Sequence, residues 1–124
     1  MSNEAPYAAE AQERWGGTHA YRESLERTTS YSRQDWTEMR DELDVLEQRL
    51  ADLMTRGEAV DGEPARDAAE QHRRHISRWF YDCSPEMHRL LAEMYLTDER
   101  FTEHYDRRAP GLAQYVHDAI VATG

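Results

Sequence analysis

The chain's single cysteine, Cys83, is the side chain best equipped for chemistry, and its neighbours bear on how it would react. It lies in Tyr81-Asp82-Cys83-Ser84-Pro85-Glu86. Ser84 is a preferred helix N-cap, and Pro85 suits a first helical turn, where a missing N–H costs nothing. A thiol just before such a start lies near unpaired backbone N–H groups and the positive end of the helix dipole, and both favour thiolate. Its position in a loop, its place before a helix and its polar flanks mark it as a candidate nucleophile. Two considerations oppose this. A lone intracellular cysteine is most often a small buried hydrophobe, and the carboxylate of Asp82 raises the pKa of a nearby thiol.

His72, His75 and His88 are the other candidates around it. With Cys83 they suggest a zinc site or a thiol-based redox or metal sensor. Yet the chain has neither a Cys-x-x-Cys nor a His-Glu-x-x-His frame. No glutamate is followed three residues later by histidine, which removes the four-helix di-iron pattern. A Cys83 nucleophile with His72 or His88 as base would permit hydrolysis. No glycine-rich turn offers an oxyanion hole, so a non-enzyme without a cofactor is expected.

The elements that must position these groups read as helices. Ser32 and Asp35 are spaced as a capping box. Trp36, Met39, Leu43, Leu46, Leu50 and Leu53 follow at steps of three and four, one apolar stripe ending at Gly57. Such a stripe serves packing within the domain or, as an alternative, a dimer seam. Pro64 to about Phe80 forms the next helix, with His72 on its apolar face and His75 beside it. After the Cys83 joint, Pro85 to Tyr95 directs Met87, Leu90, Leu91 and Met94 inward. Thr97 is expected to cap a short helix from Asp98 to about Tyr105. Arg107-Arg108-Ala109 reads as a linker, and Pro110-Gly111 opens the last helix. Before residue 32, two short helices (Tyr7 to Trp15 and, capped by Thr18, His19 to Arg27) carry few apolar anchors and are marginal alone. No segment alternates with period two, so the fold class is all-α.

With 124 residues the chain fits one domain. Fifteen basic against 25 acidic residues give a formal charge of −10, which repels nucleic acid and anionic membranes alike. No apolar run approaches the roughly 20 residues that span a bilayer. Met1 to Pro6 lacks the regions of a secretory leader, so a cytoplasmic location is expected. Trp79, Phe80 and Tyr81 run straight into the cysteine joint and cannot all face one side of a helix. At least one is expected to line a surface or cleft for a large apolar ligand.

Several collinear blocks resemble the TipA-type antibiotic-recognition domain, the ligand-binding half of a MerR-type transcriptional activator. They are Asp67-Ala68-Ala69-Glu70-x-His72-Arg73, Tyr81-Asp82-Cys83, Glu86-Met87-His88, Glu93-Met94-Tyr95, Asp98-Glu99-Arg100-Phe101-Thr102 and Pro110-Gly111-Leu112-Ala113 with Tyr115. Arg14-Trp15-Gly16, Ala20-Tyr21 and Asp35-Trp36 extend the likeness toward the N-terminus. The resemblance implies a globin-like all-α domain over 32–124. It implies that 1–31 is flexible and ordered by ligand, with Trp15 and Tyr21 in the flap. It further implies binding of thiopeptide antibiotics such as thiostrepton, with Cys83 adding covalently to a dehydroalanine. The expected cleft draws on Trp36, Met39, His72, Ile76, Trp79, Phe80, Tyr81, Asp82, Met87 and Leu91. The DNA-binding and coiled-coil parts of the activator lie outside this sequence. A monomer or weak dimer, able to associate with a full-length activator, is therefore expected.

Overall fold

Six α-helices run through the computed structural model, which describes residues 19–123. They are α1 (His19–Thr29), α2 (Arg33–Thr55), α3 (Glu63–Trp79), α4 (Pro85–Thr97), α5 (Glu99–Arg108) and α6 (Leu112–Thr123). No strand occurs among the described residues, in keeping with the all-α reading. The expected helix from Tyr7 to Trp15, the Thr18 cap and the flap residue Trp15 lie outside the described residues.

Helix α2 starts and stops as its sequence dictates. The Ser32 side chain accepts the Asp35 N–H at 3.1 Å, and the Asp35 carboxylate accepts the Ser32 N–H at 2.9 Å. At the other end Gly57 takes φ +78°, a left-handed turn that a side chain would strain. The N–H of Gly57 reaches the Met54 carbonyl, and that of Glu58 reaches Leu53, so two end carbonyls are satisfied. The stripe between these caps is unevenly buried. Met39, Leu50 and Leu53 are buried, whereas Leu43 and Leu46 are half-exposed. At least part of the stripe therefore packs within this domain.

Helix α6 occupies the centre and packs against α2, α3, α4 and α5. Leu112, Ala113, Val116, Ala119 and Ile120 form its buried face. Its first turn is held by Asp106, whose carboxylate accepts the Ala113 N–H at 3.0 Å. Helix α3 faces the core with Ala65, Ala68 and Ala69, small side chains that allow a close approach.

Three local expectations are corrected. Arg107 and Arg108 are the last turn of α5, not a linker. Arg108 reaches α2, donating to Asp44 at 2.7 Å and to Glu47 at 3.3 Å, and cations suit a helix C-terminus. Asp98, not Thr97, caps α5; Thr97 instead completes α4, where its hydroxyl returns to the Glu93 carbonyl. Leu90 points outward, 58% exposed, because α4 spends its inward positions on His88, Leu91, Ala92, Met94 and Tyr95.

Glu47 is a buried carboxylate in the middle of α2, held by His104 at 3.0 Å and by Arg108. Removing one partner leaves it underpaired in a dry setting. Arg108→Ala is expected to lower stability by about 2 kcal/mol, read as a lower urea midpoint. An unchanged midpoint would show that His104 suffices.

Candidate functional site

The site is built on the joint between α3 and α4. Helix α3 ends where Phe80 N–H closes on Ile76 at 2.9 Å, and Ser84 begins α4 by accepting the Met87 N–H at 3.1 Å. Cys83 is only 1% exposed and joins the core that includes Ile76, Tyr81 and Leu91. An irregular stretch this deep needs partners for its backbone. Two α3 side chains one turn apart supply them for Cys83. Ser77 Oγ accepts the Cys83 N–H at 3.0 Å, and Arg73 Nη1 donates to the Cys83 carbonyl at 2.7 Å. Arg73 is itself gripped by Glu70, with Nε at 3.0 Å and Nη2 on the second carboxylate oxygen.

This environment opposes the activation expected from the helix start. Burial pushes the Cys83 pKa up to about 12. The Arg73 cation pulls it down and the Glu70 carboxylate pushes it up, but desolvation dominates. Asp82 is not the obstacle that its sequence position suggests. Its side chain is 89% exposed and turned to Arg27, at 3.2 Å.

An outer layer closes over the joint. Arg27 of α1 donates to the Ser77 carbonyl and to Glu23, and Glu23 also receives the Asp82 N–H at 3.4 Å. Helix α1 has no fully buried residue; Ala20 packs partly buried against the core, and polar contacts join the helix to the joint. Tyr31 donates its hydroxyl to the Trp79 carbonyl. Its ring stands edge-on to Trp36 and to Trp79, each at 5.5 Å, and Trp36 meets Phe80 at 6.4 Å. Beneath them Glu42 accepts from Trp79 Nε1 at 2.9 Å and from Arg78 at 2.6 Å, and lies 2.9 Å from His75 Nδ1.

The histidines separate into two groups. His72 Nδ1 lies 2.8 Å from His88 Nε2, their rings are stacked at 5.1 Å, and Tyr105 OH stands 3.3 Å from His72 Nε2. Burial drives both pKa values down, that of His88 to about 4, and the pair is held neutral. His75 turns away to Glu42. No group of three or more His, Cys, Asp or Glu able to hold a metal occurs among the described residues. The grouping needed for the metal-sensor alternative is therefore not assembled there.

The predicted cleft residues occupy two settings. Met39, His72, Ile76, Trp79, Tyr81 and Leu91 are buried, while Trp36, Phe80 and Met87 are half-exposed and Asp82 is exposed. Tyr21 is half-exposed on α1. A shallow groove of about 410 Å³ between α2 and α3, bordered by Val45, Leu46 and Arg74, involves none of them.

Residues 7–123 match the TipAS antibiotic-recognition domain. The chain belongs to this family. The HTH-type transcriptional activator TipA of Streptomyces coelicolor is 53% identical over 116 residues, which are 94% of this chain and 46% of the activator. The HTH-type transcriptional activator mta of Bacillus subtilis is 36% identical over 115 residues, 93% of this chain and 44% of that protein. The chain thus spans about half the length of these curated relatives. Among solved structures, TipAS from a thiopeptide antibiotic multidrug resistance system of Streptomyces lividans, in complex with nosiheptide, superposes with a TM-score of 0.88 at 52% identity. The match covers 97% of this chain and 84% of that one. The antibiotic-binding domain of a TipA-class multidrug resistance transcriptional regulator superposes with a TM-score of 0.66 at 52% identity, over 71% of this chain and 94% of that one. No described helix is long and apolar enough to cross a membrane.

Within this TipAS domain, sequence reasoning missed the residues that hold the joint: Arg27, Tyr31, Glu42, Arg73 and Ser77. The i, i+4 spacing of Arg73 and Ser77 was the available signal, since it places both on one side of α3.

Two outcomes follow. The native thiol should react with Ellman's reagent roughly a hundredfold more slowly than the urea-unfolded chain, because it must first be uncovered; equal rates would contradict its burial. His72 and His88 bind protons more readily when unfolded, so their influence is neutral above pH 6.5 and erodes stability as pH falls toward about 4. For His88 the slope reaches about 1.4 kcal/mol per pH unit. His88→Gln should flatten the fall in urea midpoint across that range, and parallel wild-type and variant curves would exclude this assignment.

Proposed function

We propose that this chain captures thiopeptide antibiotics, and that Cys83 forms a thioether with a dehydroalanine of the drug. The observation that carries this reading is the likeness, at 52% identity and a TM-score of 0.88, to TipAS solved with nosiheptide. The chemistry is consistent with it. Dehydroalanine is an electrophilic alkene, and a thiolate is the protein nucleophile best suited to add to it. The capture is used once and no turnover follows, so the domain is a receptor and not an enzyme.

Burial of the thiol makes docking and opening successive events. The drug first meets the half-exposed aromatic surface of Trp36 and Phe80. Displacement of α1 and the Asp82 loop then uncovers Cys83, and residues 1–31 fold over the occupied site. Met39, His72, Ile76, Trp79, Tyr81, Met87 and Leu91 line the opened cleft. Sequestering the drug in the cytoplasm protects the cell; as part of a longer activator, or in association with one, the same event signals drug. DNA contact belongs to such a partner, because this chain carries a formal charge of −10.

Intact-mass spectrometry with thiostrepton and nosiheptide tests the reading. The wild type should gain the full mass of the drug, as an addition without a leaving group requires. Cys83→Ala should gain none, yet retain weaker, reversible binding by calorimetry, because apolar burial does not depend on the bond. A wild type that gains no mass, or an equal adduct on Cys83→Ala, would overturn covalent capture by Cys83.

A further inference from the structure

We propose that Arg73 is the positioning residue for thiol capture: anchored by Glu70 on α3, it stays beside Cys83 when the thiol is uncovered and supplies the fixed positive charge that the reacting sulfur needs. This rests on the reading of Cys83 as the attachment point.

The geometry separates what moves from what stays. Glu70 takes the Nε and Nη2 of Arg73 as a fork, three residues away on the same helix. Only Nη1 is given to the joint, at 2.7 Å from the Cys83 carbonyl. The hold on the guanidinium is thus internal to α3 and survives loss of the loop contact. The clamp that must open is the outer one, where Arg27 and Glu23 of α1 hold Asp82.

Other groups around the thiol do not replace this charge. Glu70 opposes it, buried Tyr81 is held in its protonated form, and His88 from α4 is held neutral. Arg27 is engaged with Asp82 on the outer side. When the joint opens, water returns and the burial that keeps the thiol protonated is relieved. The opposing influences of Arg73 and Glu70 remain.

The reaction produces two anions in turn. Cys83 Sγ–H gives its proton to water. The thiolate pair then forms the S–C bond to the terminal alkene carbon, and the π pair moves toward the adjacent carbonyl as an enolate. Protonation at the α-carbon completes the addition, with nothing expelled and no net oxidation or reduction. A fixed cation favours both anions without reorganising at the moment of reaction.

A purely structural Arg73 would also alter reactivity, by loosening the loop. The test therefore uses two alkylating reagents, anionic iodoacetate and neutral iodoacetamide, on the folded chain. Their rate ratio cancels both the frequency of opening and the thiolate fraction, since they meet the same open thiolate. Arg73→Gln should lower the ratio about fivefold relative to wild type, the scale of one partly screened charge contact. Arg73→Lys should hold most of it. Arg66→Gln, an exposed site on the same helix, makes the same change in net charge and should leave the ratio unmoved. If Arg73→Gln changes both rates in equal proportion, the role is structural and the proposal falls; if Arg73→Gln does not fold, the ratio in the folded wild type must exceed that in the urea-unfolded chain, and equal ratios overturn the proposal. Neither reagent is a thiopeptide. A ratio that responds while thiostrepton adds no mass retains the influence of Arg73 on the thiol and removes covalent capture of the drug. A thiostrepton adduct with an unmoved ratio does the reverse.

Discussion

The structure around Cys83 depends on one constraint: an irregular stretch of backbone that is buried must find hydrogen-bond partners outside itself. The turn from α3 to α4 has no ladder to supply them. Arg73 and Ser77 supply them for Cys83 from α3, while Arg27 and Tyr31 take the Ser77 and Trp79 carbonyls from the α1 side. Most of the site's architecture follows. Glu70 must hold Arg73, and Glu42 must gather Trp79, His75 and Arg78 so that the end of α3 stays in place. The joint is held through side chains that a ligand could displace.

Fixing the joint this way opposes the chemistry proposed for it. A thiol in the core is protected from stray oxidants and electrophiles, but it is also kept protonated, with its pKa near 12. Burial and reactivity cannot be maximal in one conformation. The molecule places the conflict at a contact rich in polar groups. Helix α1 has no fully buried residue: Ala20 packs partly buried on the core, while Glu23, Arg27 and Asp82 make contacts that water can also satisfy. Contacts of that kind are the ones that open at low cost. The core behind them, with α6 at its centre, is closed by apolar packing and by the stacked His72–His88 pair.

The legibility of these parts differed for physical reasons. Helix existence and class were legible because period and caps are local: the Ser32–Asp35 box and the Gly57 turn are written within a few residues of each other. Cys83 was legible as a special position, since Ser84 and Pro85 announce a helix start. Its burial was not legible. A nearby dipole is a sequence-local effect, and desolvation is not. Leu90 failed similarly: it looked inward by type, but His88 and Tyr95 had stronger claims on the interior once they found partners. Arg107 and Arg108 read as linker because nothing beside them shows that Asp44 and Glu47, about sixty residues away, hold Arg108.

By itself, then, the sequence determined an all-α chain with one potential nucleophile at a helix joint. Its acidic charge opposes contact with a phosphate backbone, and its rare-residue blocks resembled a drug-recognition family. Only the tertiary structure decided whether that nucleophile is open or shielded, which histidines meet, and which arginine holds the Cys83 carbonyl. The first set follows from interactions within a few residues or summed over the whole chain. The second follows from burial and from pairs such as Arg27 with Asp82 or Glu42 with Trp79, which come together only when distant helices pack.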